Sequence, residues 1–359
     1  MNNKNSIWMR IHIDHLVIII FGLLIYGFMI LWSASNQNIN MMELRLFQII
    51  IGLLIMLFIA QYPPYIYQKS APYIYGLCIL LLMIVDIFGH LTKGSHRWMN
   101  LWLLHFQPSE MAKIAIPLMV ASYLNRDVYP PTLKSTGIAL IIIIIPTILV
   151  AIQPDLGTSV LIAFSGILVL FLSGISWILI SIVMFLIIVL GPIFWFCLMH
   201  DYQRRRIRTM FNPELYRLNA GYNIIQSKIA IGSGGIWGKG FLHGTQSQLN
   251  FIPETTTDFI FSVLAEELGM IGISLLLLLY ILLIIRGLII ASKAYSMFER
   301  IIASELIMML FCYIVINISM VSGIIPVVGI PLPLISYGGS ALVILMAGFG
   351  MIISIDTHS

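Results

Sequence analysis

Apolar residues run along this chain in blocks of roughly twenty, the length a helix needs to cross the hydrocarbon core of a bilayer. The blocks fall at 16–33, 46–62, 74–90, 108–124, 136–152, 156–172, 177–199, 270–290, 301–320 and 334–355. The pattern predicts an all-α integral membrane protein of about ten transmembrane helices, forming a single polytopic membrane domain over 1–359. Ten spans return the chain to the side on which it started. Lys4, Arg10, Lys69, Arg126, Lys134, Arg286, Lys293 and Arg300 fall with the two ends, against Arg45, Lys93 and Arg97 in loops opposite. Basic residues favour cytoplasmic loops, so both termini are expected in the cytoplasm. The run 16–32 followed by Ser33-Ala34-Ser35 has the outline of a secretory signal. It is long for one and further spans follow, so it is read as an uncleaved first span.

The longest polar stretch, 200–258, separates spans seven and eight and is predicted to be an extracytoplasmic loop. Loops of that length are usually functional or disordered. Ile224, Ile225, Ile229, Ile231 and Phe241 among its polar residues suggest short amphipathic helices on the membrane surface. A second loop on the same side, 89–107, carries Trp98, Trp102 and His105, which suit an interfacial aromatic belt or stacking on a substrate.

Composition narrows the function classes. The chain is 60% hydrophobic and 9% charged, with a mean hydropathy of +1.00. A soluble domain carries about 25% charged residues, so a water-filled exterior is excluded. A net charge of +4, spread along the chain, leaves no nucleic-acid footprint. Cys78, Cys197 and Cys312 sit in separate apolar runs without CxxC spacing, which argues against disulfides and zinc.

Charge at bilayer depth is costly and usually functional. The informative residues are therefore Asp86, Glu110, Lys113, Asp155, Asp258, Glu266, Glu267 and Glu305. Gln107-Pro108-Ser109-Glu110 opens the fourth block with proline where a first helical turn tolerates it. Glu110 and Lys113, three residues apart, share a helix face, as a structural ion pair or as the lining of a cavity. Asp155, in Gln153-Pro154-Asp155-Leu156-Gly157-Thr158, has the chemistry of a turn or helix cap. Asp258, after three threonines and before an apolar helix, is equally suited to capping that helix or to chemistry. Glu266 and Glu267 read as surface or packing charges. Arg204, Arg205, Arg206 and Arg208 suit lipid phosphates or a pyrophosphate. Gly232, Gly234, Gly235, Gly238 and Gly240, near Lys228 and Lys239, lack Walker spacing; they fit a tight re-entrant turn beside a ligand.

Taken in order, seven stretches resemble the SEDS family of cell-wall polymerases (shape, elongation, division and sporulation) over nearly the whole chain. They are Arg97-Trp98, Phe106 to Glu110 with Ala112-Lys113, Gln153 to Thr158, Gly221-Tyr222 with Gln226-Ser227, Gly232 to Gly235, Thr257 to Phe261 with Glu266 to Gly269, and Ser336 to Ser340. The segment Gly323 to Ala341 is more similar to the family's elongation branch than to its division branch.

The resemblance implies a peptidoglycan glycosyltransferase that polymerises lipid II at the outer face of the bacterial inner membrane. Its partners would be a class B penicillin-binding protein with transpeptidase activity and the elongation machinery of the rod complex. Asp258 takes the position of the family's catalytic carboxylate, and Glu110 with Lys113 that of a charged pair beside a central cavity. Gln107, Ser109, Asp155, Arg204, Arg206, Lys239 and Ser336 are the further candidates for binding substrate or lining that cavity. Thr255 and Thr256 stand where the family commonly has Arg and His, which removes a histidine from this loop and leaves Asp258 in place.

Such a reaction joins a sugar 4-hydroxyl to an anomeric carbon as undecaprenyl pyrophosphate leaves. The leaving group needs charge neutralisation, by arginine, lysine or a divalent cation such as magnesium or manganese, rather than a proton. No covalently bound cofactor is expected. One carboxylate acting as base then predicts inversion. A lipid II flippase or other transporter stays open because Asp86 and Glu305 also suit proton relays, as does a scaffold that only recruits the penicillin-binding partner.

Overall fold

The computed structural model describes residues 15–358 apart from 89, 93–94, 102–103, 127–128, 154, 194–195, 197–198, 200, 217–219 and 250. Helices occupy all ten expected blocks. They are α1 (His15–Ala34), α2 (Ile39–Ala60), α3 (Pro64–Phe88), α4 (Pro108–Leu124), α5 (Leu133–Ile152), α6 (Leu156–Leu172) and α7 (Trp177–Ile193), followed after the long polar stretch by α11 (Ile260–Lys293), α12 (Met297–Val321) and α13 (Gly339–His358). Seven are long and apolar enough to cross a bilayer, and α4, α6 and α7 have 17 residues each. The polar stretch itself folds as α8 (Asp201–Phe211), α9 (Ala220–Gly234) and the single turn α10 (Thr245–Gln248). The protein is a multi-pass membrane protein.

Two features depart from expectation. The loop before α4 is a small antiparallel meander of β1 (His90–Thr92), β2 (Ser95–Leu101) and β3 (Leu104–Phe106), in the order β1-β2-β3. Trp102 of this loop lies outside the described residues, as do the side chains of Trp98 and His105 and the whole of Lys4, Arg10 and Lys93. Arg45, expected in a loop, is on the second turn of α2 and only 1% exposed. Its Nη2 donates to the Leu334 carbonyl at 2.8 Å, a backbone group that no helix uses. Reaching that carbonyl lets α2 start several residues earlier than a hydropathy window allows.

Two apolar cores organise the bundle. One joins α1, α2, α11, α12 and α13 through Leu16, Ile20, Met56, Tyr280, Leu310 and Phe349. The other joins α3 to α6 through Cys78, Ile116, Ile143 and Ile162, and the first turns of α12 enter it through Phe298 and Ile301. Helix α12 therefore belongs to both cores. Between them, where α4, α12 and α13 meet the segment 330–338, lies a cavity of about 80 Å³.

The long helix α11 is broken at Gly269, whose φ of 62° and ψ of −156° suit no other residue. The amides freed by the break, Met270 and Ile271, donate to the carbonyls of Gly235 and Ile236 at 3.0 and 3.3 Å. In return Lys239 and Gly240 donate their amides to the carbonyls of Glu266 and Glu267, both at 3.0 Å. The glycine-rich turn after α9 is thus stitched to the kink. Gly235, Gly238 and Gly240, all at positive φ, make the tight turn that their spacing predicts.

Candidate active site

Asp258 stands in the turn that leads into α11, and it is not the cap of that helix. The N-cap is Phe259, which makes no side-chain capping bond. The turn is held from below by the segment after α12. Ser336 Oγ donates to the Thr257 carbonyl at 2.6 Å and accepts the Leu332 amide at 2.8 Å. The Tyr337 amide donates to the Thr256 carbonyl at 2.8 Å. Buried Asn317 of α12 donates through Nδ2 to the carbonyls of Asp258 and Ile330, at 3.0 and 2.6 Å. Thr255 Oγ1 ties the same turn to the Ala34 carbonyl at the end of α1. These bonds fix the backbone of Asp258, a residue that stays partly exposed. A Cβ built on Gly329 would stand 3.4 Å from Asp258 Oδ2, so the absence of a side chain there keeps space open beside the carboxylate.

The turn Val327–Gly329 gathers other candidates. Arg206 on α8 donates through Nη1 to the Val327 carbonyl at 3.1 Å. Gly157, on the first turn of α6, lies so close to Val328 that a Cβ would fall 2.2 Å from Val328 Cγ1. Asp155 caps α6 by accepting the Thr158 amide at 3.3 Å, which is the turn-and-cap role its sequence suggested. Sequence motifs from α6, α8 and the start of α11 therefore meet at one turn.

The cavity is a second centre. Glu110 and Lys113 line it as a 2.6 Å ion pair with side chains 12% and 11% exposed. Lys113 Nζ lies 5.0 Å from the centre of the Tyr313 ring. Ser336 and Glu305 line the same cavity, and Ser336 is its link to the Asp258 turn. Gln107 and Ser109 are bonded side chain to side chain at 2.9 Å, on the N-cap and first turn of α4.

Two candidates lie elsewhere. Arg204 does not join Arg206: it donates to the Phe196 carbonyl at 2.8 Å, lies 3.6 Å from Asp201, and lines a surface recess with Arg205, Arg208 and Tyr216. Lys239 pairs with Glu266 at 2.7 Å and with Thr245 Oγ1 at 2.6 Å, and does not line the cavity.

Glu266 and Glu267 correct the surface reading, since neither has any exposed area. Glu266 accepts from Lys239, from Thr245 Oγ1, and from the amides of Gln246 and Ser247 at 2.9 and 3.2 Å. Glu267 accepts from Ser33 Oγ of α1 at 2.5 Å and from the Leu242 amide at 3.2 Å. The two carboxylates clamp the loop 239–248 onto α11 and α1. The pair stands two positions before Gly269, but nothing in its local sequence marks both acids as buried.

The FtsW, RodA and SpoVE family, described as cell cycle proteins, matches residues 14–359. The chain belongs to that family. It is 59% identical over 357 residues to the peptidoglycan glycosyltransferase MrdB of Escherichia coli (strain K12), covering 99% of this chain and 96% of that one. Among solved structures, it is similar to a chain from work on the structural coordination of polymerization and crosslinking by a peptidoglycan synthase complex. That match has a TM-score of 0.83 and 28% identity, covering 95% and 96% of the two chains. The rod shape determining protein RodA of Thermus thermophilus superposes with a TM-score of 0.73 at 27% identity, over 97% of each chain. The family that the seven motifs resemble is the family found.

Proposed function

We propose that this protein is a peptidoglycan glycosyltransferase that polymerises lipid II during cell elongation, with Asp258 as the base that deprotonates the attacking 4-hydroxyl. The observation that carries the assignment is the Asp258 turn. Its backbone is fixed by Ser336, Tyr337 and Asn317, while its carboxylate faces space that Gly329 keeps open. A positioned carboxylate contributes about 10²–10⁴-fold by taking the proton in the transition state. The negative charge then passes to the pyrophosphate, and Arg206, bonded to the Val327 carbonyl two residues from Gly329, is the guanidinium assigned to receive it. Attack by one hydroxyl in a single displacement inverts the anomeric carbon.

Among the described residues no three His, Cys, Asp or Glu side chains gather as metal ligands. The steps above draw on the chain's own side chains. The segment 200–258 and the Asp258 turn are assigned to the outer face of the cytoplasmic membrane, with both termini in the cytoplasm. Loop charge supports that orientation. A transpeptidase of the class B penicillin-binding type is the proposed partner, supported by the similarity to a chain of a peptidoglycan synthase complex. Purified protein with labelled lipid II tests the assignment: Asp258→Asn is expected to lose at least 100-fold in glycan formation, on the scale of general base catalysis, while folding normally. Substantial remaining polymerisation by the folded variant would remove Asp258 from the chemistry.

A further inference from the structure

The cavity between α4, α12 and α13 carries two acidic side chains and one basic one among the described residues. Its charged lining among the described residues is Glu110 and Lys113 from α4 and Glu305 from α12. Glu305 has no exposed area, and neither of its carboxylate oxygens has a hydrogen-bond partner. The Tyr313 hydroxyl, about two turns further along α12, lines the same cavity and is likewise without a partner among the described residues.

An ionised carboxylate has lone pairs for about four donors, and burying it bare in an apolar interior is prohibitive. Lys113 cannot neutralise both acids. Its ammonium is 2.6 Å from Glu110 and packed over the Tyr313 ring, and turning it to Glu305 would strand Glu110 in the same way. Α13 and the segment 330–338 bring only apolar side chains, backbone and Ser336, whose hydroxyl is already committed to Thr257 and Leu332. Water in the cavity would supply donors but no countercharge.

We infer that the cavity holds one further unit of positive charge at Glu305, a site for a proton or a small monovalent cation completed by the Tyr313 hydroxyl. The inference is independent of glycosyl transfer, because the site's occupancy can be read without turnover. The carboxylate, the phenol and the Glu110–Lys113 pair form one polar island inside an otherwise apolar wall of Leu306, Leu342 and Phe349.

The test uses the full chain in lipid nanodiscs, with infrared spectra and thermal unfolding recorded in sodium, potassium or choline chloride at equal ionic strength. A bound proton gives a protonated-carboxyl C=O band at neutral pH that is missing in Glu305→Gln, with a melting temperature indifferent to the salt cation. A bound metal cation gives no such band; the melting temperature is then higher by several degrees in sodium or potassium than in choline, and Glu305→Gln loses that difference. Either result supports the site and names its occupant. Wild type and Glu305→Gln alike in both measurements would overturn it. Should Glu305→Gln fail to fold, Tyr313→Phe keeps the charge and deletes only the hydroxyl. It is expected to move the band or weaken the cation response, and an unchanged band with an unchanged response overturns the site as drawn.

Discussion

Glu266 and Glu305 are the same residue at the same burial, both without exposed area, yet they stand in opposite surroundings. Glu266 is saturated by a lysine, a hydroxyl and two backbone amides. Glu305 meets no hydrogen-bond donor among the described residues. Burial therefore does not separate a structural acid from a site; the supply of donors does. A satisfied carboxylate acts as a fastener, and removing it leaves its donors stranded. A bare one requires something the chain does not provide.

That contrast can be broken from the satisfied side first. Glu266→Ala removes the shared acceptor of the Lys239 ammonium, the Thr245 hydroxyl and two amides, and should destabilise the folded protein by about 3 kcal/mol, read as a lower unfolding temperature in detergent. Wild-type stability would show that the clamp is dispensable. Gly238→Ala attacks the same clamp through the backbone. At φ 77° its Cβ would fall 2.1 Å from the Glu267 carbonyl oxygen. A loss of about 2–3 kcal/mol is expected, whereas Gly235→Ala, at φ 57° with nothing within 4 Å, should show only the left-handed strain of about 1 kcal/mol. Equal losses would mean that contact with Glu267 adds nothing. Ser336→Ala removes one donor and one acceptor beneath the Asp258 turn. Stability should fall by about 1–2 kcal/mol, and glycan formation by roughly tenfold through misplacement of the carboxylate. Polymerisation that tracks only the folded fraction would argue against a positioning role. Smallest of all, Glu305→Gln should change stability by less than about 1 kcal/mol when a proton occupies the site, because a neutral acid and an amide differ little in burial.

The ten helices were legible because each spans a membrane-sized apolar block, a constraint that acts on every residue of the block. The family motifs were legible for the same reason in reverse: Gly157, Asp258 and Ser336 interrupt apolar runs. What sequence reading missed depends on distant partners. Arg45 passed for a loop charge because its acceptor is a carbonyl 289 residues away. Adjacent acids point to different faces of a helix, so Glu266 and Glu267 gave no sign that both are buried. Three of their donors are backbone amides, of Leu242, Gln246 and Ser247, which carry no residue signature. Arg204 and Arg206 were joint candidates for the pyrophosphate, but two positions along a helix face away from each other, and Arg206 is the one bonded to Val327. The meander β1–β3 was missed because its outer strands are three residues long, too short for an alternating pattern.

Arg45 also bears on how the molecule is made. Its guanidinium, in the second helix to be synthesised, is bonded to a carbonyl that leaves the ribosome only after almost the whole bundle has been translated. Until Leu334 arrives, α2 carries an unanswered cation into the membrane, so it has to wait near the lipid headgroups or borrow a temporary acceptor. The floor beneath Asp258, made of the same segment, is laid at that moment. An acceptor for Arg45 and the support of the Asp258 turn thus arrive with one late segment of the chain.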